Sequence, residues 1–175
     1  MMKILAFAAS NSKTSINKQL ATYAASLLKG AHIEVLDLND YELPLYSIDK
    51  QAEIGEPSLA TEFLSKIGLS DAIIISFAEH NGSYTAAYKN LFDWCSRINR
   101  KVFQGKSLVL LSTSPGPGGA ANVLATASQS AQHFDGHVKA ILSIPNFFDN
   151  FDIKSFQMTN KELDHQLRNA VLSLL

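Results

Sequence analysis

Residues 9 to 17 read Ala9-Ser10-Asn11-Ser12-Lys13-Thr14-Ser15-Ile16-Asn17, so hydroxyls, amides and a cation crowd the junction between an apolar run and a helical pattern. Hydroxyls and the free N–H groups of a helix start suit a phosphate, because the positive end of the helix dipole faces the same place. A helix cap by Ser12, Thr14 or Ser15 is the alternative, yet capping needs only one such side chain. Two later stretches share this polar, small-residue character. Glu79-His80-Asn81-Gly82-Ser83 holds an Asn-Gly turn that can aim backbone amides at a flat polar partner, or a plain turn with Ser83 capping the next helix. Ser112-Thr113-Ser114-Pro115-Gly116-Pro117-Gly118-Gly119 offers glycines where a ligand can approach the backbone, or a flexible surface loop. No G-x-G-x-x-G follows the first apolar run, and Gly105-Lys106-Ser107 lacks the first glycine of a Walker loop and precedes a strand.

The elements that must position these loops alternate. Apolar runs at Lys3–Ala8, His32–Leu36, Ala72–Phe77, Ser107–Leu111 and Val138–Ile144 read as strands, most of them buried on both faces. Helical spacing appears at Ile16, Leu20, Tyr23, Ala24, Leu27 and Leu28, with Gly30 as the stop. It appears again over Ser58–Leu69, Tyr84–Ile98 and Ala120–Phe134. The last helix covers Asn160–Leu175, capped by Asn160 or Thr159. Asp37–Ile54 is a long connection with Pro44 and two tyrosines, long enough for a function or an interface. This order predicts an α/β three-layer α/β/α sandwich around a five-stranded parallel sheet, residues 1–175 forming one domain. In such a sheet ligands sit beyond the carboxyl ends of the strands at the switch in strand order, where the three loops belong.

Composition narrows the function classes. The 175 residues are 46% hydrophobic and 18% charged, with 15 basic against 16 acidic side chains. A net charge of −1 argues against a surface built for nucleic acid. The single cysteine, Cys95, can form no internal disulfide and suits a reducing compartment. The apolar run Ile4–Ala9 is short for a signal peptide and leads into a polar loop, so a first strand is the better reading. No stretch reaches the roughly 20 apolar residues of a membrane span. A cytoplasmic protein is expected.

Taken together, Ser10-x-x-x-x-Ser15-x-Asn17, Glu79-His80-Asn81-Gly82-Ser83 with Lys89-Asn90-x-x-Asp93-Trp94, and Ser114-Pro115-Gly116-x-Gly118-Gly119 resemble the NADPH-dependent FMN reductase family, flavodoxin-like proteins that include quinone, azo-dye and chromate reductases. The resemblance runs the length of the chain and implies the flavodoxin strand order 2-1-3-4-5. It implies that Ser10, Ser12, Ser15, Ile16 and Asn17 hold the FMN phosphate. Glu79, His80, Asn81, Gly82 and Ser83 would lie along the isoalloxazine, largely through backbone groups, and Ser114 and Gly116 would border its pyrimidine side. NADPH or NADH would reduce the flavin, which then serves a small acceptor: a quinone, an azo compound, a metal oxyanion or free flavin. A homodimer or tetramer is implied as well. The chain departs from the family pattern at three places: Ser12 where an arginine is usual, His80 where a tyrosine is usual, and Ala121 where an arginine often follows. Lys13 and Lys18 are the cations near enough in sequence to replace part of that charge. The missing arginines leave fewer partners for a 2′-phosphate on the nicotinamide donor.

Other eye-catching residues read more plainly. His80 reads as a shape and hydrogen-bonding element at the ring edge ahead of a proton donor, since flavin chemistry needs no obligatory protein acid; no catalytic side chain is assigned. His133 and His137 have helical metal-ligand spacing, but Gly136 between them should end the helix, so no metal site is expected. Cys95 falls at helical spacing with Leu91 and Phe92 and is expected in the core. Trp94 and Tyr88 fit either a core or a dimer interface. The rival functions are a flavodoxin-type electron carrier, which the near-neutral charge opposes, and a non-catalytic FMN-binding module.

Overall fold

A computed structural model describes residues 1–175. The chain runs β1 (Lys3–Ala9), α1 (Ile16–Ser26), β2 (His32–Leu36), a 3-10 turn at Leu38–Tyr41, α2 (Ile48–Ile54), α3 (Ser58–Leu69) and β3 (Ala72–Phe77). A two-strand hairpin comes next, β4 (Glu79–His80) with β5 (Ser83–Tyr84), then α4 (Ala86–Ile98) and β6 (Ser107–Thr113). The remainder is α5 (Ala121–Ala131), a 3-10 turn at Gln132–Phe134, β7 (His137–Ile144), α6 (Phe147–Asn150), the hairpin β8 (Phe151–Asp152) and β9 (Gln157–Met158), and α7 (Lys161–Leu172).

The five long strands form one parallel sheet in the order β2-β1-β3-β6-β7, which is the expected 2-1-3-4-5 once the small hairpins are set aside. All six residues of β3 are buried, as helices on both faces require. Leu5, Phe7, Ile73 and Ile75 face the α3, α4 and α5 layer. Ile4, Ala6, Ile74 and Val109 face α1 and α7. Burying an isoleucine this completely contributes about 1.5–3 kcal/mol. The residue before the loop is therefore held on a sheet that does not give.

Register decides where the loops emerge. Ala9 lies opposite Phe77, and Phe77 opposite Ser112. The three polar loops thus leave three adjacent strands from one row, strands that stand about 4.8 Å apart. The chain crosses from β1 to β2 on one side and to β3 on the other, so the switch in direction falls between β1 and β3.

Several boundaries differ from those expected. Tyr84 belongs to β5, and Thr85, not Ser83, caps α4: its side chain accepts from the Tyr88 N–H. The Asn-Gly turn is tight enough to close a two-residue hairpin, with Asn81 and Gly82 both at positive φ (52° and 76°), so strand pairing takes residues that spacing alone assigns to the helix start. The Asp37–Ile54 connection holds a 3-10 turn and the short helix α2. The last part of the Ala120–Phe134 helix tightens into the 3-10 turn. Asn160 caps α7 as expected, its Oδ1 accepting from Glu162 N and Leu163 N.

Candidate functional site

The loops are tied together by polar side chains, two of them, Asn17 and Thr85, buried and the third, Glu79, half-buried. Asn17, on the first turn of α1, points inward: Oδ1 accepts from the Thr113 N–H (3.1 Å) and the Ser76 hydroxyl (2.7 Å), and Nδ2 donates to Thr113 O (3.1 Å). One side chain so fixes the first loop to β3 and β6. The Thr85 hydroxyl donates to Ala9 O at 3.0 Å while accepting from Tyr88 N, which ties the end of the second loop to the start of the first. Glu79 reaches across to α5, whose own cap position is Ala120 in the left-handed region with no side-chain acceptor. Its Oε2 accepts from the Val123 N–H at 2.8 Å, a carboxylate placed at the positive end of a helix dipole.

The third loop is pinned as well, and so is not a free surface loop along its whole length. Ser112 Oγ and Ser143 Oγ both donate to Gly119 O, at 2.7 and 2.8 Å. Gly119 sits at φ 58°, where a Cβ would collide with Ser143 Oγ and stand 3.2 Å from Pro145 N; glycine is required there. Asn146 N donates to Gly116 O and Phe147 N to Ser114 O.

The loops bound a cleft of about 260 Å³. Ser10, Ser12, Ser15, Ile16 and Asn17 wall one side, Glu79 and His80 another, and Ser114 with Pro115 the third. Asn81, Gly82, Ser83 and Gly116 lie beyond its walls, the first three at the hairpin tip and exposed. A side chain at Gly82 or Gly116 would meet nothing within 4 Å, so both keep their backbone accessible.

The donor set fits a phosphate. Ser10 Oγ accepts from Ser12 N, and Ser15 Oγ accepts from Lys18 N. Each hydroxyl thereby spends a lone pair within the protein and keeps its proton to donate. The N–H groups of Ile16 and Asn17, in the first turn of α1, have no carbonyl within the helix to bond. Asn17 can serve a ligand only through that N–H, because its amide is committed to the sheet. Lys18 is not a free replacement for an arginine: its ammonium is paired with Asp37. That ammonium, with the Asn39 N–H, holds the Asp37 carboxyl below the usual carboxylate range. Lys13 is exposed in the loop itself.

A second cleft of about 290 Å³ shares the first loop through Asn11. Leu38, Tyr41, Leu43 and Leu45 of the 37–54 connection face Ala86 and Ala87 across it. The connection is strapped down by α4. Asn90 Nδ2 donates to Leu43 O and Pro44 O, Tyr46 N donates to Asn90 Oδ1, and Trp94 Nε1 donates to Pro44 O at 2.8 Å. Spacing alone offers no role for Asn90, because its partners lie more than 40 residues upstream. Trp94, Tyr88 and Cys95 are core residues. Burial pushes the Cys95 thiol up to about 12. His133 lies in the 3-10 turn and His137 opens β7, so the pair shares no helix. No helix is long and apolar enough to cross a membrane.

Comparison with known proteins agrees with this geometry. The family model described as NADPH-dependent FMN reductase matches residues 2–149. The chain is 32% identical over 123 residues to an NADPH:quinone oxidoreductase of Arabidopsis thaliana, covering 68% of this chain and 61% of that protein. It is 28% identical to an NAD(P)H:quinone oxidoreductase of Solanum tuberosum, covering 99% of this chain and 91% of the relative. A quinone reductase of Escherichia coli (strain K12) is matched over 40% of its length. Among solved structures, the flavoenzyme NAD(P)H:(acceptor) oxidoreductase FerB from Paracoccus denitrificans superposes with a TM-score of 0.77 at 23% identity, covering 99% of this chain and 95% of that one. The apo form of the NADH:FMN oxidoreductase EMOB gives 0.70 at 18% identity, covering 100% and 91%. These two likenesses carry the fold.

Proposed function

Since this chain belongs to the NADPH-dependent FMN reductase family, we propose that it is an FMN-dependent NAD(P)H oxidoreductase that reduces a small planar acceptor of the quinone type. The observation that carries this reading is the cleft itself: three loops leave one row of the sheet at its switch point and present hydroxyl protons and free helix N–H groups to one place. Bound there, FMN supplies the chemistry of taking up two electrons from a nicotinamide and passing them on.

The protein's part is binding and exposure. Ser10, Ser12 and Ser15 donate hydroxyl protons to the phosphate, joined by the N–H groups of Ile16 and Asn17 and by the helix dipole. Ser114 Oγ donates to Gly116 O, which leaves its lone pairs for an N–H on the pyrimidine edge of the ring. Glu79 holds the hairpin in place from below, so that Asn81, Gly82 and Ser83 present backbone to the ring. His80, exposed at the cleft wall, bounds the space an acceptor enters. The adjoining cleft walled by Leu38, Tyr41, Leu43 and Leu45 favours an apolar, planar acceptor over a metal oxyanion. A homodimer and a cytoplasmic location belong to the same reading.

The test is a visible spectrum. Purified protein given FMN should turn yellow, bleach anaerobically with NADPH or NADH, and recover colour on adding a soluble benzoquinone. Yellow protein that neither nicotinamide bleaches identifies an electron carrier instead. Protein that takes up no FMN sinks the flavin reading altogether.

A further inference from the structure

The tip of the β4–β5 hairpin is a place where the chain can rearrange its own backbone chemically. We propose that Asn81-Gly82 is a spontaneous modification site: the asparagine loses its amide through a cyclic imide and becomes aspartate or isoaspartate, unless a bound flavin covers it.

The geometry leaves both reacting groups free. Asn81 and Gly82 are exposed, and a Cβ on Gly82 would meet nothing within 4 Å. The Gly82 N–H makes no hydrogen bond within the protein, and neither does the Asn81 amide. The hairpin is anchored at its base, by Glu79 on α5 and by the Tyr84 ring against Phe77. Its paired stretch is only Glu79–His80 with Ser83–Tyr84. So short a ladder opens locally at little cost, and glycine lets the turn rotate until its nitrogen faces the asparagine side chain.

Other asparagines are committed. Asn11 is also exposed, but the next nitrogen, Ser12 N, donates to Ser10 Oγ. After Asn17 and Asn146 the next N–H groups donate to Ser15 Oγ and Ser114 O. Asn90 and Asn150 give their amides to Leu43 O and Pro145 O, and Asn99 and Asn160 accept from backbone N–H groups. Asp135-Gly136, the matching acidic dipeptide, is closed because Gly136 N donates to Ala131 O.

The reaction needs only water. The Gly82 nitrogen gives up its proton and bonds Asn81 Cγ, the Cγ–Nδ2 bond breaks, and the amide leaves with that proton as ammonia. Water then adds to one of the two imide carbonyls. Opening the bond from nitrogen to Cγ yields aspartate, and opening the original peptide bond yields isoaspartate. Either product places a negative charge beside FMN, which is itself anionic. Isoaspartate also lengthens the main chain by a methylene in a turn that closes with two residues. The shielding by flavin rests on the flavin reading; the modification itself does not.

Flavin-free and FMN-saturated protein, kept in mildly alkaline heavy-oxygen water and followed by peptide mass mapping, tests this. The expected result is two separable acidic products at Asn81, both carrying the heavy oxygen. Asn81 should convert faster than Asn11 by a factor of roughly 2 to 10 or more, since the nitrogen after Asn11 must first give up a hydrogen bond. Saturating FMN should slow the conversion, and Asn81→Gln should abolish it, because the longer side chain closes a less favourable ring. Conversion at Asn11 ahead of Asn81 would overturn the proposal. So would an Asn81 that survives in the folded chain while urea-unfolded protein converts. Equal rates with and without saturating FMN would overturn the shielding. Protein that takes up no FMN fails the flavin reading instead, and its own rates at Asn81 and Asn11 still decide the modification.

Discussion

Asn17 shows how much one side chain decides here. Its type and its place in Ser10-x-x-x-x-Ser15-x-Asn17 suggest a phosphate ligand, but the amide faces the sheet and makes three buried hydrogen bonds. Asn17→Ala would strand the Ser76 hydroxyl and both backbone groups of Thr113, at a cost of roughly 2–4 kcal/mol for buried polar groups without partners. We predict that this variant lowers the urea midpoint and the FMN affinity together. Ser12→Ala, which removes an exposed hydroxyl from the cleft, should lower FMN affinity and leave the midpoint in place. Equal midpoints in the two variants would contradict the inward role of Asn17. Residue type was legible in the sequence and direction was not, because an asparagine serves a ligand or a sheet with the same atoms.

At the scale of elements, apolar runs were enough to find all five long strands, and helical spacing found α1, α3, α4, α5 and α7 but not the short helices α2 and α6. A strand buried on both faces must be continuous in hydrophobic residues, and little else in a chain of this kind is. What spacing could not show was capping from a distance. Helix α5 has no capping side chain of its own, and its acceptor is Glu79, 44 residues earlier. Glu79→Ala should therefore destabilise the protein by about 1 kcal/mol although it lies outside the helix. Glu79→Gln should restore part of that, keeping an acceptor while losing the attraction of a charge to the dipole, roughly 0.3–1 kcal/mol. Thermal or urea unfolding of the two variants decides it; identical losses would show that the acceptor contributes nothing beyond its charge, and a Glu79→Gln protein as stable as the parent would show that the charge contributes nothing. The displaced start of α4 has a related cause. The Asn-Gly turn makes the expected reversal, but strand pairing claims Tyr84 and passes the capping role to Thr85.

At the scale of the whole molecule, order and register do the assembling. The segment order led to the sheet, and the sheet led to the row from which the loops depart. Cys95 fits the expected core position, fully buried with its thiol pushed up to about 12. Native protein at pH 8 should resist a thiol reagent such as dithionitrobenzoate and release one equivalent per chain on unfolding in urea; prompt reaction of the folded protein would refute this burial. The strap over residues 43–46 carries a different kind of consequence. Trp94, which is the one tryptophan of the chain, bonds Pro44 and meets the Tyr46 ring at 5.1 Å. The molecule's only indole chromophore is thus bolted to the connection that walls the second cleft. Its fluorescence belongs to that strap alone, an optical tag installed by the fold at the place where an acceptor would arrive.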